Sequence, residues 1–167
     1  MSSSGRPSRP RRGNRRGWTS LDHYLGTHDA QLARLGTYFV EDHDLQVELT
    51  APDRVTIAGR IRCRHGLFVD VRKVLELNDR QQVRGLAYKY HAGIVGSDPR
   101  PIFRYDNAHT YAREGHPDAF HRHRYDHRSW QEIAPPEWIG DEQWPTLAEA
   151  IEELHDWWLE VGQFLEL

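Results

Sequence analysis

The sequence predicts an α+β fold: a four-stranded antiparallel meander with an N-terminal helix and a long C-terminal helix packed on one face. Three observations lead to this prediction. Four stretches between residues 54 and 106 have the composition of strands, and the first alternates strictly between apolar and polar side chains. The connections between them are too short for a parallel crossover. Apolar residues at three- and four-residue steps predict one helix before these strands and another near the C-terminus.

Composition limits the class of protein. The 167 residues are 38% hydrophobic and 11% aromatic, which is enough for one core and too much for a disordered chain. No apolar stretch approaches the roughly 18 residues that a membrane span needs. Cys63 is the only cysteine, so an internal disulfide and a multi-cysteine zinc site are excluded. We expect a disordered basic arm over 1–17, a single domain over 18–167, and a cytoplasmic protein with no membrane association.

Charge is unevenly distributed along the chain, although its net value is only -3. Residues 1–17 contain six arginines and no acid, residues 54–128 are basic, and residues 129–167 contain ten acids and neither Lys nor Arg. Two interpretations of the basic middle remain open. It offers a cationic surface to phosphate groups, or it is neutralised by acidic helices that pack against it.

The first half of the chain contains a helix and a hairpin. Ser20 is a suitable cap for a helix that extends to about Val40. Two strand-like runs follow, Val55–Arg64 and Leu67–Leu77. The His65-Gly66 pair between them is typical of a tight antiparallel turn. These two runs are therefore expected to be neighbours in the sheet.

Two further strands and a capped helix complete the prediction. Asn78-Asp79 marks a turn before the third strand, Val83–His91, and the fourth strand is Pro101–Tyr105. Residues 107–145 are interrupted by prolines and are expected to be irregular. Thr146 and Glu149 then form a capping box. Apolar residues at helical spacing continue from there to Leu165.

Side chains able to do acid–base chemistry are concentrated between residues 88 and 127. Five of the eleven histidines lie between 109 and 127. Because strand residues alternate, Tyr88 and Tyr90 should share one face, and Lys89 and His91 the other. Arg104 and Asp106 should likewise share a face, with Tyr105 opposite them. Metal-free RNA cleavage needs one proton acceptor, one proton donor and a cation for the phosphorane charge, and this region offers all three.

Two other interpretations of the histidines stay open at this point. The first is a metal site, formed by His121 and His123 with help from His116, His127 or Asp126. The second is a solvated, hydrogen-bonded loop that closes on Asp106 and Asn107 and has no catalytic role.

The order of these motifs resembles the TumE-type toxins of prokaryotic toxin–antitoxin pairs. The agreement extends over about residues 55–155, and the Tyr-x-Tyr-His and Arg-Tyr-Asp-Asn-Ala motifs are its most specific parts. Two regions depart from the family pattern: the long segment before residue 55 and an apparent added loop over Trp130–Gln143. The matching segments are Arg60–Val71, Tyr88–His91, Ile102–Ala108, His116-Pro117, His121–His123 and Thr146–Leu154.

The resemblance implies a toxin that is neutralised by a partner antitoxin and acts on RNA, with the compact helix-plus-sheet fold of other toxin ribonucleases. We therefore expect a metal-independent RNA endonuclease that needs no cofactor. The alternative is a non-enzymatic RNA- or protein-binding module, or an inactive relative of the toxins. The expected catalytic residues are His91, His121 and His123 as proton carriers, with Asp106 orienting one of the basic groups. The expected substrate contacts are Tyr88, Lys89, Tyr90, Arg104, Tyr105, Asn107, Arg122 and Arg124.

Overall fold

The computed structural model describes residues 17–96, 98, 100–107, 120–140 and 143–165. The predicted basic arm, apart from its last residue, lies outside the described residues. Short 3-10 turns occur at Arg64–Gly66 and Gly162–Phe164. The helices are α1 (Leu21–Gly36) and α2 (Leu147–Glu160). The strands are β1 (Thr19–Ser20), β2 (Val40–His43), β3 (Gln46–Ala51), β4 (Arg54–Cys63), β5 (Leu67–Leu77), β6 (Gln82–Ile94), β7 (Arg100–Asp106), β8 (His121–Arg124) and β9 (Glu137–Trp138).

One large antiparallel sheet dominates the described part of the chain, so the predicted four-stranded meander is wrong. The sheet has nine strands, with the main order β2-β4-β5-β6-β7-β8-β9. Strand β1 pairs with β6, and β3 pairs with β4. The four segments that the sequence indicated correspond to β4–β7. They are only the centre of a sheet that is extended on both sides.

Strand β3 was not predicted because it lacks the burial that makes alternation visible in a sequence. Every residue of β3 except Ala51 is exposed, including Val47 and Leu49, so apolar and polar positions are not separated by a core. The short strands β8 and β9 fall within the proline-interrupted segment that was expected to be irregular. They pair with strands distant in sequence or across a long loop, and local propensity does not record such pairings.

The central hairpin forms where the turn residues allow it. His65 has a φ of 64° and Gly66 a φ of 69°, and Cys63 pairs with Leu67 across the turn. The loop between this pair is Arg64, His65 and Gly66, one residue longer than the predicted two-residue turn, and positive φ at its last two residues reverses the chain. The turn therefore sets the register of β4 against β5, which continues without interruption to Arg54 and Glu76.

The C-terminal helix is shorter than predicted. It begins at the expected capping box: the Thr146 side chain accepts from the Glu149 backbone, and the Glu149 side chain accepts from the Thr146 backbone. It ends at Glu160, so Leu165 lies outside it. Gly162 follows, where a Cβ atom would lie 2.6 Å from the Trp158 ring, and the chain turns there. Neither described helix has the length and apolar character needed to cross a membrane.

The sheet has two chemically different faces. On the inner face, apolar strand residues share one core with both helices, whereas the outer face, opposite the helices, carries mostly polar side chains. Cys63 is buried in the inner core. This core includes Leu32 and Leu35 of α1, Ala150, Ile151 and Leu154 of α2, and Val69, Val71, Tyr90 and Ala92 of the sheet.

Gly59 is expected to be intolerant of any side chain. Its φ is 151°, and a Cβ atom there would lie 2.7 Å from the backbone oxygen of Asp44. We expect Gly59→Ala to lower the free energy of unfolding by about 2 kcal/mol or more, because strain and a backbone clash add. The matched control is Gly26→Ala in α1, where nothing lies within 4 Å, and which should raise stability by up to about 1 kcal/mol. Equal urea midpoints for the two variants would contradict this.

Candidate functional site

A row of polar side chains crosses five adjacent strands on the outer face. The pairing register makes each member the direct neighbour of the next, from β4 through β5, β6 and β7 to β8. Side chains directly opposite one another in antiparallel strands lie close enough to interact. We call these residues the polar row. Its members are Arg60, Asp70, His91, Arg104 and His123.

The β8 end of the polar row is a hydrogen-bonded chain. Arg104 Nη2 lies 2.7 Å from His123 Nε2, and His123 Nδ1 lies 2.6 Å from Glu132 Oε1. A guanidinium can only donate, so His123 Nε2 is the acceptor and Nδ1 carries the proton that is donated to Glu132. His121 Nε2 lies 3.0 Å from the same nitrogen of His123. This chain fixes the direction of the Arg104 guanidinium.

His91 occupies the middle of the polar row and is half-buried. Its ring lies edge-on to Phe68, with 6.0 Å between the ring centroids. Burial lowers the pKa of His91 below its ordinary value, and the neighbouring cations Lys89, Arg104 and Arg60 lower it further against the opposing effect of Asp70. Asp70 is itself held by Arg60 through two hydrogen bonds of 2.6 and 2.9 Å. His91 is therefore a neutral imidazole at neutral pH, able to accept a proton.

A second line of polar side chains runs beside the polar row. Arg72 pairs with Lys89, Lys89 with Asp106, and Asp106 with His121. Arg72 and Lys89 are exposed, whereas Asp106 is half-buried and His121 is 0% exposed. The outer face thus has exposed cations beside half-buried groups and two buried histidines, since His123 is only 3% exposed.

The structure places other expected site residues on the inner face, away from the polar row. Tyr90 is buried in the core, and Tyr88 stacks against it with 5.5 Å between ring centroids. The Tyr105 hydroxyl donates to Glu153 of α2 over 2.5 Å, and Arg122 Nη2 lies 2.9 Å from the same carboxylate. Burial, then Glu153, raises the pKa of Tyr105. Tyr105 and Arg122 therefore attach the sheet to α2.

Two more expected substrate contacts have partners that account for their positions. Asn107 is buried, and its Oδ1 accepts a hydrogen bond of 2.7 Å from the Tyr88 backbone, which ties the end of β7 to β6. Arg124 is exposed and lies 3.6 Å from Glu137, on the side of β8 opposite His123. Neither side chain points to the polar row.

The alternative metal set is only partly described, because His116 lies outside the described residues. Among those that are described, no three His, Cys, Asp or Glu side chains are grouped so that they could hold a metal ion. Asp126 instead accepts hydrogen bonds from the backbone of Arg128 and Ser129, which lower its pKa and shape the turn after β8. His127 lies in that same turn and is half-buried.

Five residues of the outer face were not among the predicted site residues: Arg60, Asp70, Arg72, Tyr125 and Glu132. Asp70 had no visible signal, because its role depends on the pairing of β5 with β4 and β6. Glu132 lies in the segment interpreted as an added loop. Tyr125 follows β8 on the side of His123, and burial raises its pKa while the charge of Arg104 opposes that rise. For Glu132, the sequence signal was an acidic residue that follows, after a short loop, the strand containing the two histidines.

Comparison with known proteins identifies a family. The family model described as Toxin TumE matches residues 29–164. No curated protein and no solved structure matches the chain. The match covers the second half of α1, the strands β2–β9 and α2, and therefore both the polar row and most of the core beneath it. The chain belongs to the TumE toxin family, and this membership implies the toxin of a toxin–antitoxin pair, with an antitoxin as its partner.

Proposed function

We propose that this toxin cleaves RNA on the outer face of the sheet without a metal ion. The observation that carries the proposal is the polar row, in which a neutral, half-buried His91 is the direct cross-strand neighbour of Arg104. Exposed Arg72 and Lys89 stand beside it and supply the positive charge that attracts a phosphate backbone. A base and a fixed cation within one row are two of the three groups that metal-free RNA cleavage requires, and the third is a proton donor.

In the proposed reaction, His91 accepts the proton of a ribose 2′-hydroxyl as that oxygen attacks the adjacent phosphorus. The bond to the 5′-oxygen breaks, and a proton donor neutralises the leaving oxygen, which yields a 2′,3′-cyclic phosphate and a 5′-hydroxyl. Tyr125, on the far side of Arg104, is the proposed donor, because its hydroxyl carries a proton and the charge of Arg104 opposes the rise in its pKa that burial causes. Arg104 stabilises the charge that develops on the phosphorane oxygens.

His121 and His123 have a different role in this proposal from His91. They are 0% and 3% exposed, and His123 Nε2 already accepts from Arg104. We therefore assign them the positioning of Arg104, with Glu132 holding the ring of His123. Asp106 pairs with Lys89 across the strands and adjusts the position of that cation.

The direct test is incubation of the purified chain with RNA in the presence of EDTA. We expect cleavage to 2′,3′-cyclic phosphate ends, and a loss of about 10²-fold or more in rate for His91→Asn, because proton transfer is worth that much. The rate of the wild type should fall with acidity only below the ordinary histidine pKa of 6.5, since the pKa of His91 is lowered. His127→Asn is the matched control and should retain full activity.

Two results would refute the proposal. Loss of cleavage in EDTA would show that the reaction needs a metal ion. Unchanged cleavage by His91→Asn, with an unaltered circular dichroism spectrum, would show that His91 is not the base. A chain that binds RNA without cleaving it would instead support the non-enzymatic module.

A further inference from the structure

The inner side of the sheet contains a cavity that the proposed reaction does not use. Its volume is about 660 Å³, within the range of about 300–1,000 Å³ that small-molecule sites occupy. It lies between α1, strands β5 and β6, and the start of α2. Because Tyr88 and Tyr90 of β6 line it while Lys89 and His91 point outward, the sheet separates this cavity from the polar row.

Lys73 puts a buried positive charge in the wall of the cavity. The residue is 8% exposed, and its Nζ lies 4.9 Å from the centre of the Tyr24 ring. None of the described residues that line the cavity is Asp or Glu. Among all the residues that the structure describes, no carboxylate forms an ion pair with Lys73. Buried charges are normally paired, so this ammonium indicates an anion that the described residues do not supply.

His28 provides a second, independent indication at the same place. It is 8% exposed, and its Nε2 is buried without a hydrogen-bond partner in the described structure. Its ring stacks on Tyr24, one helical turn earlier, with 6.4 Å between centroids. Burial lowers the pKa of His28 to about 4, and the charges of Lys73 and His43 contribute. A neutral polar atom and a cation thus line one cavity, each lacking the partner that burial ordinarily requires.

The other end of the cavity is aromatic. Tyr88 lies edge-on to Trp144 with 4.2 Å between ring centroids, and Phe120 lies 5.4 Å from the same indole. Tyr90 extends this wall beneath Tyr88. Trp144 and Tyr90 are 5% and 2% exposed, so Tyr88, which is half-buried, offers most of the aromatic surface that a nucleobase could contact.

We propose that this cavity binds a nucleoside monophosphate, with the phosphate at Lys73 and His28 and the base against Tyr88 and Trp144. The ligand supplies an anion for Lys73 and an acceptor for His28, whose neutral ring then carries its proton on Nε2. The base of the ligand occupies the aromatic end of the cavity. The site is separate from the outer face, so binding in the cavity does not depend on RNA cleavage at the polar row.

The test is isothermal titration of the full-length chain with adenosine 5′-monophosphate, with adenosine and inorganic phosphate as separate arms. We expect the monophosphate to bind, and both fragments to bind at least tenfold more weakly. Lys73→Met should weaken monophosphate binding at least tenfold, because the buried cation is removed while the side-chain volume is kept. Lys89→Met is the matched control, since Lys73 and Lys89 are the only lysines. It should leave binding unchanged.

Several outcomes would overturn the proposal. Absence of binding would do so, as would binding that survives Lys73→Met. If adenosine bound as tightly as the monophosphate, the proposed anion site would be contradicted. If inorganic phosphate bound as tightly, the proposed aromatic site would be contradicted. Weakening by Lys89→Met alone would place the nucleotide on the outer face. Retention of RNA cleavage by Lys73→Met in any of these cases would show that the two sites fail separately.

Discussion

Replacing Arg104 by glutamine is expected to lower the rate of RNA cleavage by a factor of about 10²–10³. Removing one preorganised group that stabilises charge in a transition state has an effect of this size. Glutamine removes the charge and, being two bonds shorter than arginine, also ends the 2.7 Å contact with His123 Nε2, while the bond from His123 to Glu132 is kept. Because the charge acts on the phosphorane, the loss should appear in kcat as well as in kcat/KM.

The matched control for this prediction is Arg124→Gln. Arg124 comes from the next strand but points to the opposite side, where it lies 3.6 Å from Glu137 and is exposed. We expect its rate to remain within about threefold of the wild type, in keeping with the small worth of exposed ion pairs. Similar losses for the two variants would mean that general positive charge, and not the polar row, determines the rate.

Replacing Lys73 by methionine is expected to stabilise the protein by about 2 kcal/mol at pH 7. Burial lowers the pKa of Lys73 to about 8 from 10.5, so the folded state binds this proton less tightly than the unfolded state. At 1.36 kcal/mol per pKa unit, the charged form opposes folding by about 3 kcal/mol below pH 8. Loss of the contact with the Tyr24 ring, about 1 kcal/mol, offsets part of the gain.

The pH dependence provides the check on this second prediction. The unfavourable contribution of Lys73 diminishes as pH rises from about 8 to 10.5. In urea unfolding, the difference in free energy of unfolding between Lys73→Met and the wild type should therefore become smaller over that interval. Lys89→Met, on an exposed lysine, should stay within about 0.5 kcal/mol of the wild type throughout. A Lys73→Met variant less stable than the wild type at pH 7 would show that the ammonium has a partner after all.

The parts of the fold that depend on local chemistry could be predicted from the sequence. Ser20 caps α1 by accepting from the His23 backbone, the His65-Gly66 turn sets the hairpin, and Thr146 with Glu149 starts α2. Alternation also separated Lys89 and His91 from Tyr88 and Tyr90 correctly. It could not say which set faces the helices, because alternation fixes only that two sets point in opposite directions.

The remaining features depend on contacts between segments far apart in sequence. Strand β3 is exposed along nearly its whole length, so contact with a core does not produce an alternation of apolar and polar residues in its sequence. Glu132 approaches His123 only because the chain returns to β8, and Lys73 meets Tyr24 across a gap of 49 positions. The same distance explains why the cavity was not anticipated: its cation, its histidine and its aromatic wall come from elements that the sequence gives no reason to group.

Strand β6 has a consequence for how this protein can change over evolutionary time. Successive residues of one short segment, Tyr88 to His91, serve opposite sides of the sheet, and no position between them is a spacer. A single inserted or deleted codon before this segment would turn both sets around unless a bulge absorbed it, burying Lys89 and His91 among the helices and exposing two tyrosines. The pairing with β5 already skips Leu86, so length variation in β6 is expected only at such a bulge or in the connections at its ends.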